Sequence, residues 1–252
     1  MKDAKIALQL YTLRDLTGRD MLGTLKQIAS QGYRAVEFAG FGGVPVADIR
    51  ALLDEHGMRA VAAHIGLDDL RSRPEEVLAD LNSLGCSYAV VAYVAQERRR
   101  NARQVREIGE TFNRYGDICR EAGLRFAYHN HAFEFEPLDG SMMFEILLDT
   151  TDASLVAFEL DVYWLHHAGV DPVQMIKRLA GRIPLVHIKD MEAGEGRRDA
   201  PVGDGILPWQ EILPACAAGG TEWYIIEQDN PRNPLNDVER SLNNLREMLG
   251  KI

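Results

Sequence analysis

Six times along the chain a helical stretch ends in a glycine, and one or two residues later a short apolar, β-branched run begins and closes on a polar or aromatic side chain. The glycines are Gly32, Gly57, Gly85, Gly123, Gly181 and Gly220, and the runs that follow them cover residues 35–38, 60–64, 88–94, 125–129, 184–189 and 223–227. Glycine suits the position after a helix because the residue there often takes a positive φ, which costs glycine little. With 6–11 at the front and 155–161 in sixth place, the pattern predicts eight strands, each followed by a helix. The helices carry their own period: Val105, Ile108, Phe112, Tyr115 and Cys119 step by three or four, as do Val238, Leu242, Leu245 and Leu249, so each presents one apolar stripe.

Eight βα units favour a closed barrel over an open doubly wound sheet. No GxGxxG follows the first strand, and the alternation runs unbroken to the C-terminus. The 252 residues match the ~250 typical of such a barrel, and no linker-like segment divides them. The expectation is an α/β protein forming a single (β/α)8 TIM barrel domain over 1–252. The longest irregular stretch, 191–208, holds glycines at 194, 196, 203 and 205 and follows the seventh strand. Barrels keep their active-site loops at that end, so it is a candidate lid, and its turn at 203–205 offers backbone N–H groups either to an anion or to a hinge.

Charge narrows the partners. Lys plus Arg number 28 against 38 Asp plus Glu, a net charge of −10, which repels nucleic acid. Cys86, Cys119 and Cys216 form no CxxC pair and read as free buried thiols suited to a reducing cytosol. The opening residues 1–10 alternate apolar and polar and lack a secretory apolar core, and no apolar run reaches ~18 residues. A cytoplasmic protein without a membrane span is expected; a homo-oligomer is compatible with the sequence, which shows no distinctive interface segment.

In a parallel barrel the strand C-termini converge on one face. Read in order, the strand ends are Gln9 or Tyr11, Glu37, His64, Tyr93, His129 with His131, Asp161, His187 and Glu227. Carboxylates and imidazoles gathered at one place call for a compensating charge, because an unpaired buried carboxylate costs several kcal/mol. A divalent cation supplies it. His129, Asp161, His187 and Glu227 offer two nitrogens and two carboxylates, a mixture that suits manganese first, with cobalt, iron, zinc or magnesium as alternatives. Strand alternation puts His129 and His131 on one face and Asn130 on the other, so one imidazole would bind metal and the other face substrate. Set against this, a lone strand-end histidine is more often a hydrogen-bonded structural residue. Glu37 is read as structural, salt-bridged to a lysine or arginine; His166 and His167 as the start of the helix after strand six; residues 98–100 as a solvated helix entrance. Trp164 and Trp209 either flank the mouth and pack on a sugar face or belong to the core.

Four segments then carry a resemblance: AYHNHAFEF (127–135), ELDVYW (159–164), HIKD (187–190) followed by VGDGILPW (202–209), and YIIEQD (224–229), with ALQLYTLRD (7–15) as a first strand. Together they resemble the xylose-isomerase-like barrel superfamily, the sugar phosphate isomerases/epimerases, over essentially the whole chain. In ketose epimerases of that group a Glu, an Asp, a His and a Glu hold a divalent metal, and the two glutamates move protons. The resemblance places Asp161, His187 and Glu227 on the last three. At the first this chain has His129 where those epimerases have glutamate, and the histidine-rich strand looks like inosose dehydratases and barrels acting on 3-keto-sugars.

The implied function is a metal-dependent sugar isomerase or epimerase working by proton abstraction next to a carbonyl, with enediolate chemistry. The alternative is a dehydratase or lyase on an inosose, 3-keto-sugar or glycoside. Glu227 is the expected base and His131 or Glu134 its partner; His64, Gln9, Lys189 and Trp164 are expected to bind a small carbohydrate or cyclitol. An apurinic endonuclease-like protein would need a multi-zinc cluster and a basic groove. A non-catalytic sugar-binding barrel would show binding without turnover.

Overall fold

The computed structural model describes residues 5–251; residues 1–4, part of the opening stretch considered above, and residue 252 lie outside the described residues. Eight parallel strands, β1 Ile6–Gln9, β2 Ala35–Ala39, β3 Arg59–Ile65, β4 Tyr88–Val91, β5 Arg125–His129, β6 Val156–Asp161, β7 Leu185–Ile188 and β8 Trp223–Ile226, pair in sequence order, and β8 closes on β1. The fold is a (β/α)8 barrel. Two strands stop earlier than the sequence pattern predicts. β4 ends at Val91, and after β1 the chain turns through a 3-10 helix at Leu10–Leu13, begun by the Gln9 carboxamide oxygen accepting from Tyr11 N at 3.0 Å.

The main outer helices are α1 Met21–Ser30, α2 Val46–Glu55, α3 Pro74–Leu84, α4 Ala102–Glu121, α5 Met143–Thr150, α6 Pro172–Arg178, α7 Trp209–Gly219 and α8 Pro234–Gly250. Their apolar stripes are buried as the 3.6-residue period requires: Val105, Ile108, Phe112, Tyr115 and Cys119 on α4, and Val238, Leu242 and Leu245 on α8. Gly85 and Gly220 close α3 and α7 in the left-handed conformation, at φ +79° and +86°. The three cysteines are free and buried. Among the described residues no helix is long and apolar enough to cross a membrane.

Strand alternation divides the core in two. Residues such as Leu8, Phe38, Phe126, Phe158 and Ile226 point outward and join the large helix-covered core. Their neighbours Ala7, Ala35, Ala62, Tyr88, Val90, Ala127, Ala157, Leu185 and Ile225 form a separate apolar cluster that plugs the barrel interior. At its base the Tyr88 hydroxyl hydrogen-bonds Glu222 at 2.6 Å, and Arg125 pairs with the same carboxylate at 2.6 Å.

The segment after β7 is tied down by one side chain. Asp190 accepts from Met191 N at 2.8 Å, Gly203 N at 2.9 Å, Gly205 N at 3.1 Å, Leu207 N at 3.2 Å and the Trp209 indole N–H at 2.7 Å. Of the backbone N–H groups of the 203–205 turn, offered by the sequence to an anion or a hinge, those of Gly203 and Gly205 are therefore taken by the protein's own carboxylate and that of Asp204 by Pro201 O. Trp209 is a buried core residue by the same bond. A side chain at Gly205 would place its Cβ 2.2 Å from Asp190 Oδ1, so this turn admits only glycine. Asp190–Met191 also pairs antiparallel with Asp199–Ala200, which leaves 193–198 as the longest exposed run of the segment.

Hydrogen bonds to a charged group contribute ~1.5–3 kcal/mol each, and unpaired buried donors cost ~1–3 kcal/mol. Asp190→Ala, which orphans five donors, is expected to lower the unfolding free energy in urea by ~3 kcal/mol or more. Glu145→Ala, which removes an exposed pair with Arg178, is expected to cost ~1 kcal/mol or less.

Candidate active site

The polar layer stands one alternation step above the plug. Two residues beyond Ala7 is Gln9, beyond Ala35 Glu37, beyond Ala62 His64, beyond Ala127 His129, beyond Ala157 Glu159 and then Asp161, beyond Leu185 His187 and then Lys189, and beyond Ile225 Glu227. Except for His64, which is partly exposed, all of these are buried. β5 pairs with β6 so that His129 stands opposite Glu159, and β6 with β7 so that Asp161 stands opposite His187.

This register brings one donor atom from each of His129, Asp161, His187 and Glu227 within 4.8 Å of one another. Donors of one cation bound at ~2.1 Å stand ~3.4 Å apart when tetrahedral and ~4.2 Å apart when opposite, so the set has the size to surround a cation once it contracts. Asp161 supplies the clearest sign of fit. Its Oδ1 caps the short helix Val162–His167 by accepting from Trp164 N at 2.9 Å, while its buried Oδ2 has no hydrogen-bond partner. Burial, opposed by Lys189 and His187, pushes this carboxyl up to about 7: the protein's own cations offset its burial only in part. Asn130, on the opposite side of the chain from His129, holds the site's backbone by accepting from Asp161 N at 3.0 Å.

Beneath this set lies a second layer. Glu159 Oε2 is 2.7 Å from His64 Nε2, 3.2 Å from His129 Nδ1 and 3.2 Å from His187 Nε2. Glu37 Oε2 is 2.8 Å from His187 Nε2, and its Oε1 is 3.5 Å from His64 Nε2. Glu37 is thus paired with histidines rather than with the lysine or arginine its sequence position suggested, because the inward face of the neighbouring strands carries imidazoles. His129 and His187 each turn one nitrogen toward the four-donor set and the other toward these carboxylates, the arrangement that fixes tautomer and ring orientation in metal-binding histidines. Burial, with Glu159 alongside, pushes Glu37 up to about 7. Glu159 is equally buried, yet His187 and His64 hold it well below the usual carboxylate range.

Lys189 is fully buried, its Nζ 2.6 Å from Asp229, 3.4 Å from Glu227 and 3.7 Å from Asp161, under the rings of Tyr163 and Trp164. Despite burial, these three carboxylates raise its pKa, and Lys189 with His187 in turn keeps Glu227 well below the usual range. Gln9 is also fully buried, with its Nε2 unpartnered.

At the mouth, His131 meets His129 edge-on at 5.0 Å, stacks on Phe133 at 5.6 Å and faces Trp164 at 5.7 Å. Burial and the charge of Lys189 push it down to about 4, so the imidazole is neutral. Arg99 backs the stack, 3.6 Å from the Phe133 centroid, and Tyr93 stands beside it, 55% exposed. Glu134 is elsewhere. Its carboxylate accepts from the Tyr128 hydroxyl at 2.6 Å and His131 N at 2.8 Å with no exposure, and Tyr128 packs outward against Phe112 of α4. It braces the His131 backbone from outside the barrel wall. His166 and His167 end the helix Val162–His167 rather than starting it, since Asp161 itself is its N-cap.

With that barrel and that layer of donors at its C-terminal mouth, this chain belongs to the xylose isomerase-like TIM barrel family, whose sequence model matches residues 25–248. An inosose dehydratase of Geobacillus kaustophilus is 29% identical over 189 residues, which cover 66% of this chain and 61% of that protein. The chain thus spans less than two thirds of that relative's length. Among solved structures, a sugar phosphate isomerase/epimerase from Parabacteroides distasonis superposes with a TM-score of 0.83 at 26% identity, covering 96% of this chain and 94% of that one. The IolI protein, solved with a zinc atom bound, superposes with a TM-score of 0.76 over 98% of both chains; at 16% identity it shares the fold.

Chelator-stripped protein titrated calorimetrically with Mn2+ or Zn2+ tests the donor set. Asp161→Ala is expected to weaken binding more than ~100-fold and Glu159→Gln, acting through the two imidazoles, by ~10–100-fold. Unchanged affinity in the first variant would take Asp161 out of the set.

Proposed function

We propose that the chain is a divalent-metal-dependent enzyme that acts on a small carbohydrate or cyclitol by removing the proton beside a carbonyl. The observation that carries this reading is the buried Asp161 Oδ2, which makes no hydrogen bond and shares a cluster of donors with His129, His187 and Glu227. These four residues would hold the cation, with manganese the first choice for a mixed imidazole and carboxylate set and zinc next, as in the IolI structure. When bound, a divalent ion supplies Lewis acidity to the substrate's carbonyl oxygen, which acidifies the neighbouring C–H.

The protein's own groups then determine the product. Glu227, kept ionised by Lys189 and His187, takes the proton from carbon. His131, neutral and in the mouth, gives a hydrogen bond to a substrate oxygen. Glu134, with both carboxylate oxygens engaged away from the mouth, reaches no substrate, and Asp229 is held by Lys189 at 2.6 Å, so neither stands ready as a second carboxylate to return a proton to the opposite face of the carbon. Elimination needs none: the C–H pair becomes the C=C bond, the β-oxygen leaves with the C–O pair, and it takes up the proton that Glu227 received. Kinship with inosose dehydratases supports this outcome. Isomerisation or epimerisation is the second reading, favoured by the full-length similarity to the sugar phosphate isomerase/epimerase structure.

Proton NMR in D2O of manganese-loaded protein with ketoses, an inosose and a 3-keto-glycoside separates the two. Loss of water or of an aglycone is expected; deuterium entry beside the carbonyl with an isomeric sugar would select the second reading. Glu227→Gln is expected to keep the fold and lose at least ~100-fold in kcat, and near-normal turnover would reject it as the base. His129→Glu, which adds a mouth-side carboxylate, is expected to gain epimerisation of a ketose in the same NMR assay.

A further inference from the structure

A cleft of about 550 Å³ opens beside the buried network, between the loop after β2 and the segment after β3. It is lined by Phe41, Val44, Val46 and Ile65, all partly buried and packed against the main core, and by His64. Its volume falls within the ~300–1,000 Å³ of small-molecule sites. His64 makes it more than a surface groove. Its Nε2 is engaged by Glu159 at 2.7 Å, its ring lies 5.2 Å from that of His129 and 5.5 Å from that of His187, and its Nδ1 has no protein partner among the described residues. A single side chain thus borders both the four-donor set and the cleft. Of the charged residues that line it, Arg73 is paired to Asp69 at 3.0 Å, while Asp80 lies on the helix α3 side, so the wall formed by Phe41, Val44, Val46 and Ile65 is apolar and carries one free imidazole nitrogen.

We propose that this cleft receives an apolar, ring-shaped group joined through oxygen to the reacting sugar, so that the substrate is an aryl glycoside whose sugar already carries the carbonyl, a keto-glycoside, rather than a free monosaccharide. This rests on the elimination reading above. The sugar carbons then lie at the four-donor set, and His64 Nδ1 hydrogen-bonds at the junction. The aryl ring lies against Phe41, Val44, Val46 and Ile65. In the elimination the C–H pair becomes the C=C bond, the glycosidic C–O pair leaves with the oxygen, and that oxygen takes the proton, releasing a phenol into the cleft. Nothing is oxidised or reduced from outside.

Binding can be read without turnover, because phenyl and methyl glucosides carry no carbonyl and cannot react. With the metal-loaded protein, phenyl glucoside is expected to bind at least ~10-fold more tightly than methyl glucoside, the gain from burying a phenyl ring, and its aryl protons are expected to show saturation transfer from the protein. Val46→Trp, which fills the cleft, is expected to abolish both effects while metal content and thermal midpoint stay as in the wild type. Val44→Trp serves the same purpose should the first variant fail to fold. Equal affinity for the two glucosides, failure of both to bind, or a phenyl advantage that survives the tryptophan would overturn the proposal. A larger advantage for cellobiose than for phenyl glucoside would do so too, by putting a second sugar in the cleft. A cleft-dependent phenyl preference without any elimination would leave the cleft assigned and reject the elimination reading, whereas elimination from an inosose without a phenyl preference would do the reverse.

Discussion

Five carboxylates, Glu37, Glu159, Asp161, Glu227 and Asp229, share the upper half of a barrel whose lower half is plugged with alanine, valine and leucine. Taking each out of water costs several kcal/mol after relaxation. Much of the site's architecture answers that cost. Lys189 reaches Asp161, Glu227 and Asp229 at once; His187 lies between Glu227 on one side and Glu37 and Glu159 on the other. The cationic groups still fall short of the anionic ones: the second oxygen of Asp161, 3.7 Å from Lys189, makes no hydrogen bond, nor does one oxygen each of Glu37 and Glu159. The same repulsion that would destabilise the protein becomes an affinity for a divalent ion.

The fold was legible because its signals are local. A glycine after each helix and the strand run behind it need no knowledge of tertiary contacts, and Gly32, Gly57, Gly85, Gly123, Gly181 and Gly220 all take positive φ. The mouth-side cluster was legible too, because His129, Asp161, His187 and Glu227 lie at or within two residues of the ends of their predicted runs. Glu159 was missed for a definite reason: it lies one alternation step below Asp161, and attention to strand ends passes over it. The signal was present in the ELD run, where a buried strand carries polar residues at both i and i+2 on one face. The partners of Glu37 were not legible, since which imidazole meets which carboxylate depends on the stagger between strands far apart in sequence. The position of Glu134 was likewise hidden, because the chain leaves β5 after His129 and strand alternation no longer determines which side of the wall a residue occupies.

Neighbouring residues with opposed duties recur around the mouth. At 189–190, alternation sends the lysine into the barrel, where it holds Asp161, Glu227 and Asp229, and the aspartate out to the turn at 203–207. At 129–131 the two imidazoles face the interior while Asn130 bonds the β6 backbone. Each pair joins a chemical group to a structural one through a single peptide unit, which limits how far the chemical group can drift.

The Asp190 clamp also determines where this surface is free to vary. Five donors and a short ribbon secure the base of the segment after β7, and the exposed turn at 193–198 meets the helix Val162–His167 at Arg197, whose carbonyl accepts from the Tyr163 hydroxyl at 2.6 Å and whose guanidinium donates to His167 O at 2.7 Å. Side chains elsewhere in that turn can be exchanged with this tie intact, whereas a deletion through Arg197 would release the tyrosine whose ring lies over Lys189, so descendants of such a barrel can vary what hangs over the mouth only around that one latch.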